Sequence, residues 1–493
     1  MEAESKNLIT RRTLLVGGIA GAVATTLFVE EAAAAGITFS HILGRPTKTS
    51  VALSLISSAS VSAYVEFGYT KTKFTGKSKV FSVGQTTPAV IDLQSLNPGS
   101  KVYYRLRYRA GSSGTFSTGS TLSFSTAKAS GKAFAFTVQG DTHPERAGKM
   151  FNAELYKVTQ ANIVSQQPDF HILLGDDFSI DPLIGKNQAT QANVENIYAT
   201  HRQWLAISGG NVPIFLVNGN HEQAAQYLLD GTDSNPAVLA GNARLKYFPL
   251  PINDSFYSTD ADVVDHVGNP RDYYSWTWGD ATFITLDPYW HSPVAVDNVA
   301  GVSNDQATSD KKAGSGKTKD LWKVGLGDEQ YAWLKRTLES SKSKYIFVFA
   351  HHVMGTGRGA VEVSYNYEWG GADPTKTTSF AEQRPTWELP IHDLMVKHGV
   401  SIFFQGHDHI FVTQQRDGLV YQSMPNPADD TFSMFNADAY KTGTQAPNSG
   451  HVRVSVSSTS AKVEYFLAAR AVDADRSNMS IAHSYQVSPR VGF

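Results

Sequence analysis

The pattern of hydrophobic and polar positions changes near residue 130. From residue 37 to about residue 126, short segments such as Val51–Leu55 and Val102–Tyr108 alternate between apolar and polar side chains. Gly, Pro and Ser turns separate these segments, and Asn97-Pro98-Gly99 is one such turn. A period of two broken by turns is typical of strands with one buried face. The first region therefore predicts an all-β sandwich over residues 37–127.

After a linker at residues 125–132, the alternation gives way to continuous apolar runs separated by helical stretches. The runs are Phe134–Val138, Phe170–Leu174, Ile214–Val217, Thr282–Leu286, Tyr345–Phe349 and Val400–Phe404. Such runs indicate strands covered on both faces, as in α/β proteins, whose ligands bind beyond the carboxyl ends of the strands. We expect an α/β domain over residues 133–470, followed by a C-terminal tail over residues 471–493.

The first 35 residues have the pattern of an export signal. Arg11-Arg12 precedes an apolar, Gly- and Ala-rich stretch that runs to about Val29, and Ala32–Ala35 offers a cleavage site. The paired arginines resemble a twin-arginine signal, which implies a periplasmic or secreted protein. The alternative is an uncleaved anchor helix. Elsewhere the sequence contains no segment long enough to predict a membrane span after signal cleavage.

The composition limits which metal ligands and which classes of substrate are possible. The 493 residues include no cysteine, which excludes disulfides, thiolate metal sites and a cysteine nucleophile. Any bound metal must use imidazole, carboxylate or amide oxygen. The formal net charge of -2 argues against a nucleic-acid-binding surface, but it is compatible with a phosphorylated small-molecule substrate.

Polar motifs follow five of the predicted strands. In chain order they are Gly140-Asp141-Thr142-His143, Gly175-Asp176-Asp177, Gly219-Asn220-His221-Glu222, His351-His352 and Gly406-His407-Asp408-His409. The chain has 15 histidines, and six of them stand in these short motifs. One such motif alone is more often a turn than a set of metal ligands, but five in order at strand ends predict a metal site.

The order D-x-H, G-D, G-N-H-E, H, G-H-x-H resembles the signature of the calcineurin-like metallophosphoesterase superfamily. The resemblance covers about residues 133–467, and it implies a four-layer α/β/β/α sandwich. With the β-sandwich in front, which resembles a fibronectin type III domain, the layout is similar to that of purple acid phosphatases. Those enzymes carry a tyrosine ligand three residues after the second-motif Asp, where this chain has Ser179, and they lack the histidine found here as His143. A visible iron–tyrosinate band is therefore not expected.

The resemblance also implies a role for each motif residue at a centre of two metal ions, with iron, manganese or zinc as candidates. The first metal is assigned to Asp141, His143 and His409, the second to Asn220, His351 and His407, and Asp176 bridges both. A hydroxide shared by two such ions can attack phosphorus in line. His221 is assigned as the general acid, or as a charge stabiliser, at the leaving oxygen.

Other polar residues near the motifs have less specific interpretations. Asp177 and Asp408 are expected to orient neighbouring groups, His171 to be a satisfied core histidine, and Asp287 to be structural. His352 contacts either substrate or simply its packing neighbours.

Two features outside the motifs also attract attention. The aromatic insertion around Trp369 is interpreted as a substrate lid, with packing against the β-sandwich as the alternative. Four arginines could clamp a phosphate, but surface solvation is the expected state of each: Arg202, Arg244, Arg358 and Arg384.

The sequence thus predicts a metal-dependent phosphoric ester hydrolase, an acid phosphatase-like enzyme. The alternative is a cell-surface binding or adhesion protein with an inactive metallophosphatase domain. Monoester or diester preference, metal identity, oligomeric state and the roles of the insertions at residues 223–271, 291–327 and 355–385 stay open.

Overall fold

A computed structural model describes residues 36–222, 229–293, 321–353, 357–373, 375 and 377–491. The predicted export signal at residues 1–35 lies outside these residues, so it stays a prediction. Parts of the three insertions also lie outside them. Within the described ranges, no helix has both the length and the hydrophobicity needed to cross a bilayer.

The N-terminal region consists of strands, as the alternating pattern predicts. They are β1 (Phe39–Gly44), β2 (Val51–Ser57), β3 (Val61–Gly68), β4 (Gly76–Lys77), β5 (Phe81–Val83), β6 (Ala89–Leu93), β7 (Lys101–Ala110), β8 (Ser117–Thr118) and β9 (Leu122–Ser125). In β7 every second residue is buried, and Val102, Tyr104 and Leu106 enter a core shared with β1, β2 and β3. The strand-rich N-terminal region is confirmed, while its likeness to fibronectin type III domains stays a prediction.

This region is joined to the second domain by backbone pairing as well as by the linker. Strand β2 pairs with β1 and β6, and β1 in turn lies parallel to β12 (Ile214–Leu216) with Gly44 opposite Ile214. The three N-terminal strands therefore extend a sheet of the second domain. This sharing depends on pairing across about 170 residues of chain, which an alternating pattern does not reveal.

Two sheets form the centre of the second domain. The remaining strands are β10 (Phe134–Gln139), β11 (Phe170–Leu173), β13 (Tyr257–Thr259), β14 (Tyr274–Trp278), β15 (Ala281–Thr285), β16 (Tyr345–Ala350), β17 (Ile402–Gln405), β18 (Phe411–Arg416), β19 (Leu419–Ser423), β20 (Thr444–Ala446), β21 (Gly450–Val456), β22 (Ala461–Leu467) and β23 (Ile481–Val487). One sheet has the order β23-β22-β21-β10-β11-β12-β1-β2-β6, and the other has β13-β14-β15-β16-β17-β19-β18-β20. The six predicted apolar runs all lie in these strands or overlap them.

Helices cover the outer face of each sheet. They are α1 (Ala153–Gln166), α2 (Asp181–Gly185), α3 (Gln191–Gly209), α4 (Pro236–Tyr247), α5 (Gly327–Ser340), α6 (Tyr367–Gly370), α7 (Phe380–Gln383) and α8 (Ile391–Lys397). Side chains of α1, α3 and α4 pack on the first sheet, and those of α5 and α8 pack on the second. Aromatic rings fill the space between the sheets, with Phe136 and Phe283 in edge contact at 5.1 Å. The predicted four-layer α/β/β/α arrangement is confirmed.

The predicted lid around Trp369 is wrong. Trp369 is fully buried, its indole N–H donates to the Tyr421 hydroxyl at 2.9 Å, and its ring lies 4.8 Å from that of Phe403. Both partners belong to strands of the second sheet, so this part of the insertion is core of the second domain. The described contacts of the Trp369 ring are with these strands and not with the β-sandwich.

Surface solvation is wrong for the four arginines: Arg202 and Arg244 are buried, and Arg358 and Arg384 are half-buried beside the buried acids Asp408 and Glu368. Arg202 is fully buried and donates to the carbonyl oxygens of Ser54 and Tyr247, both at 2.6 Å. Its guanidinium thereby ties α3 to β2 and to the end of α4. Arg244 is also buried and donates to the Leu216 carbonyl at 2.9 Å.

The segment assigned to a C-terminal tail includes a strand. Strand β23 pairs antiparallel with β22, and residues 481 and 483–487 all find partners there. Its side chains are mostly half-exposed, because β23 is the outermost strand of its sheet. An edge strand buries little apolar surface, which explains why its sequence lacks an apolar run.

Candidate metal centre

The motif residues converge beyond the carboxyl ends of the central strands. Four of them have left-handed backbone conformations: His143 with φ 49°, Asp176 with φ 61°, His407 with φ 65° and His409 with φ 54°. Such conformations cost about 1–3 kcal/mol each for residues other than glycine, and they cluster at functional sites. Here they turn the chain sharply after each strand, so that successive side chains enter one buried space.

Glycines in the motifs are required by the carboxylates of the site. A Cβ atom at Gly219 would collide with Oδ1 of Asp176, and one at Gly406 would collide with Oδ1 of Asp141. These glycines let the backbone pass directly beside both acids. Gly219 and Gly406 are thus explained by the space around two ligand candidates, whereas Gly175, with φ 96°, is explained by turn geometry.

One group of potential ligands consists of Asp141, His143 and His409. His409 Nε2 lies 2.9 Å from Asp141 Oδ2, and 3.1 Å from His143 Nε2. All three side chains are buried, and their ligand atoms lie within 4.8 Å of one another. Two ring nitrogens and a carboxylate oxygen aimed at one point form a donor set that fits a divalent or trivalent cation.

A second group forms around His351. His351 Nε2 lies 3.0 Å from Asn220 Oδ1, 3.2 Å from His407 Nδ1 and 3.2 Å from Asp176 Oδ2. The other ring nitrogen of His351 lies 2.7 Å from the Leu174 carbonyl oxygen, which fixes the ring orientation. Asp176 Oδ2 is also 3.4 Å from His143 Nε2. Asp176 therefore faces both groups.

Protonation follows from burial and from the neighbouring charges. Burial lowers the pKa of His143 and of His407 well below the usual histidine value, so both rings are neutral and present lone pairs. Burial alone would also lower the pKa of His351, but the carboxylates of Asp176 and Asp141 outweigh it and raise that pKa to about 10. A cation among these groups would take over the role of the His351 proton.

Further buried acids connect the motifs to one another. Glu222 accepts hydrogen bonds from the backbone amides of Gly219 and Asp177, at 2.5 Å and 2.8 Å, and so ties the third motif to the second. Asp177 accepts from the Thr142 hydroxyl at 2.7 Å. Asp177 thus orients neighbouring groups, as expected. Glu222 has no predicted role, although it is the fourth residue of its motif.

Asp408 has a similar role on the other side of the centre. It accepts from the Tyr440 hydroxyl at 2.5 Å and from the Gly359 amide at 3.1 Å. Arg358 approaches it at 3.4 Å and donates to the His407 carbonyl at 2.8 Å. Arg358 is therefore a half-buried structural contact of the fifth motif.

The remaining candidates lie outside both ligand groups. His352 Nδ1 lies 3.1 Å from the Tyr289 hydroxyl oxygen, and the His352 ring stacks on that of the ligand candidate His407 at 4.7 Å. His171 contacts Thr137 and Gln139 within the core, as predicted. Asp287 accepts from Asn218 at 2.5 Å and is structural, as predicted.

The structure also gives the surroundings of Ser179 and His143, the two positions at which this chain differs from purple acid phosphatases. Ser179 is buried, its hydroxyl oxygen lies 3.4 Å from the Asp181 amide, and it stands in neither ligand group. His143 stands in the first group, and its Nδ1 lies 2.8 Å from Oε1 of Glu145. Glu145 was not predicted, although its spacing of two residues from His143 could have suggested it.

His221 lies at the edge of the centre, half-exposed. Its backbone amide donates to Asp176 Oδ1 at 2.9 Å, and its ring lies 5.2 Å from that of His143. Nδ1 is 2.6 Å from Asp181 Oδ2, and Nε2 is 3.2 Å from Nη2 of Arg146. Neither Asp181 nor Arg146 carries a local sequence signal for this role.

Comparison with known proteins agrees with the fold. A family model described as calcineurin-like phosphoesterase matches residues 134–411, more than half of the chain. The solved structure of PhoD is similar with a TM-score of 0.59 at 14% identity, covering 91% of this chain and 88% of that one. Purple acid phosphatase PPD1 from yellow lupin (Lupinus luteus) seeds is similar with a TM-score of 0.54 at 15% identity, covering 91% and 74%. No curated protein sequence matches the chain.

Proposed function

The chain belongs to the calcineurin-like phosphoesterase family, and on that premise we propose that it hydrolyses phosphoric esters at a centre of two metal ions. The family accounts for a metal-dependent phosphoester hydrolase. The number of ions, their ligands and the mechanism are the proposal. The observation that carries it is the position of Asp176, whose Oδ2 lies 3.4 Å from His143 Nε2 and 3.2 Å from His351 Nε2.

Each ion has a set of ligands under this proposal. Asp141, His143 and His409 hold the first, Asn220, His351 and His407 hold the second, and Asp176 is shared. Carboxylate, amide oxygen and imidazole accept iron, manganese or zinc, and the chain has no thiolate that would favour a softer ion. When bound, two such ions supply an activated water and neutralise charge on the phosphoryl oxygens.

The protein residues then position the reaction. The backbone amide of His221 donates to Asp176, which fixes the carboxylate between the two ligand groups. His221 is oriented by Asp181 through Nδ1, so Nε2, which lies beside Nη2 of Arg146, is the nitrogen assigned to the leaving oxygen. Burial alone would lower the pKa of His221, but the carboxylates of Asp176 and Asp181 outweigh it and raise that pKa to about 9. The ring can therefore donate a proton, or stabilise negative charge, as the ester bond breaks.

The substrate is a phosphorylated small molecule. The Arg11-Arg12 pattern at the N-terminus supports export by a twin-arginine-type signal, so we propose a periplasmic or secreted enzyme. Western blotting of periplasmic and culture fractions, with Arg11→Lys/Arg12→Lys as the comparison, tests the location. Retention of wild-type protein in the cytoplasm would contradict it.

Hydrolysis of 4-nitrophenyl phosphate by purified protein tests the function. We expect activity to disappear with a chelator, to return with added metal, and to fall at least about 1000-fold in Asn220→Ala and His407→Ala. Elemental analysis should find two ions per wild-type chain. His266→Ala, which removes an exposed histidine, is the control. Full activity in Asn220→Ala and His407→Ala would refute the ligand assignment, and a metal-loaded but inactive wild type would favour a binding protein.

A further inference from the structure

Arg146 places a permanent positive charge at the edge of the proposed centre. It ends the short 3-10 turn Pro144–Arg146 that directly follows the first motif. Its Nη2 lies 3.2 Å from His221 Nε2, the nitrogen left unoccupied by Asp181. About a third of its side chain, 34%, is exposed to solvent.

Within the described part of the chain, the terminal amino groups of Arg146 make no hydrogen bond to a carboxylate. Nη2 contacts the His221 ring nitrogen, and Nη1 contacts the Met150 sulfur at 3.5 Å. The nearest carboxylate contact, Glu145 Oε1 at 3.3 Å, is with Nε, and that oxygen is also 2.8 Å from His143 Nδ1. A ring nitrogen and a thioether therefore lie beside the two amino groups at the tip, and neither is a strong acceptor for them.

A guanidinium fork with this environment is suited to an anionic oxygen. Arginine binds phosphate oxygens through two parallel N–H groups, and such charge-assisted bonds are about twice as strong as neutral ones. An anionic oxygen is a stronger partner for these N–H groups than a ring nitrogen or a thioether. Arg146 is close to the centre, because its neighbour His221 is hydrogen-bonded to Asp176 through the backbone.

We propose that Arg146 binds a phosphoryl oxygen of the substrate and makes the enzyme selective for phosphomonoesters. This inference rests on the proposed function. The phosphoryl group of a monoester carries up to two negative charges, whereas that of a diester carries one and is blocked by its second ester substituent. The contact with Arg146 therefore stabilises a bound monoester, and its transition state, more than a diester.

Two substrates with the same leaving group test this selectivity. 4-Nitrophenyl phosphate and methyl 4-nitrophenyl phosphate differ only in the charge and substitution of the phosphoryl group. For metal-loaded Arg146→Ala, we expect kcat/KM for the monoester to fall roughly tenfold or more beyond any fall for the diester. Arg146→Lys should recover part of the loss, since it restores a charge without the fork.

Lys149→Ala is the matched control. Lys149 is exposed, lies three residues from Arg146, and its loss removes the same charge from the same segment. We expect its kcat/KM for both esters to equal that of the wild type. Circular dichroism and metal content of each variant show whether the fold and the centre are intact.

Binding of inorganic phosphate to metal-loaded protein, measured by calorimetry, gives a test that needs no turnover. We expect Kd to rise roughly tenfold in Arg146→Ala and to stay unchanged in Lys149→Ala. Equal losses for both esters, a wild type that prefers the diester, or unchanged phosphate binding would each overturn the proposal. An inactive, metal-loaded wild type whose phosphate binding still depends on Arg146 would refute the proposed hydrolysis and leave the anion contact standing.

Discussion

Replacing Glu145 should weaken binding of the first metal and leave the second unaffected. Glu145 Oε1 lies 2.8 Å from Nδ1 of His143, the ring nitrogen opposite the one that faces the ligand group. A carboxylate in this position fixes the orientation of the ring and makes the ligand nitrogen more basic. Loss of such a partner typically costs 10–100-fold in metal affinity, or about 1.4–2.8 kcal/mol.

Two substitutions of Glu145 should reduce the affinity for the first metal by different amounts. Glu145→Gln keeps an oxygen that can accept from Nδ1 and removes only the charge, so we expect a loss near tenfold, about 1.4 kcal/mol. Glu145→Ala leaves Nδ1 buried without its acceptor, so we expect a loss near 100-fold, about 2.8 kcal/mol. The second ligand group provides an internal comparison, because the partner of His351 there is the backbone carbonyl of Leu174, which neither substitution removes.

Calorimetric titration of metal-free protein with Zn²⁺ or Mn²⁺ measures both affinities. Glu154→Gln is the matched control, since the Glu154 side chain is 71% exposed on α1 and forms a surface ion pair with Lys157. Wild-type affinity at both sites in Glu145→Ala would refute the role of Glu145. Equal weakening at both sites would also contradict it, because the effect would then act on the whole centre.

Three further results should follow from the same structure. Arg202→Met should lower the free energy of unfolding by about 3 kcal/mol in urea denaturation, because it removes buried bonds to Ser54 and Tyr247 carbonyls; a change below about 1 kcal/mol would refute this role. Burial alone would lower the pKa of His291, but the Asp272 carboxylate 2.8 Å away outweighs it and raises that pKa to about 9. The His291–Asp272 pair therefore contributes its full stability below pH 6.5 and loses it as the pH rises through 9. The difference in unfolding free energy between wild type and His291→Gln, measured by thermal unfolding, should shrink by about 3 kcal/mol between pH 6 and pH 10. Iron-loaded protein should show no tyrosinate absorption band in the visible spectrum, because no tyrosine stands at position 179.

The parts of the fold that the sequence predicted are those governed by local periodicity. The run Phe170–Leu174 is apolar except for His171 because β11 is covered on both faces, and Asp176 follows at the carboxyl end of that strand, where ligands of parallel sheets bind. The same reasoning found all five motifs. This prediction needs only the burial of each strand and the direction of the chain, and both can be inferred from consecutive residues.

The errors concern residues whose surroundings come from distant parts of the chain. Trp369 is buried by Tyr421, 52 residues away, and Arg202 by Ser54, 148 residues away. Neither a tryptophan in a long insertion nor an arginine on a helix indicates its own burial. Composition favours a lid for the first and solvent for the second, and only the tertiary contacts decide otherwise.

The turn after His143 contains residues of the site that could not be predicted from the positions of the strand ends. The strand ends predict only the residues that directly follow each strand, such as Asp141 and His143. The left-handed backbone of His143, with φ 49°, then turns the following 3-10 segment back toward the centre. Glu145 consequently supports the ligand that precedes it, and Arg146 reaches His221, which is 75 residues further along the chain. The proposed metal ligands thus belong to the strand ends, whereas Arg146, the group proposed to distinguish one ester from another, belongs to the turn that follows the first of them. A chain with the same five motifs and an uncharged residue at position 146 should therefore keep the metals and lose the preference for monoesters.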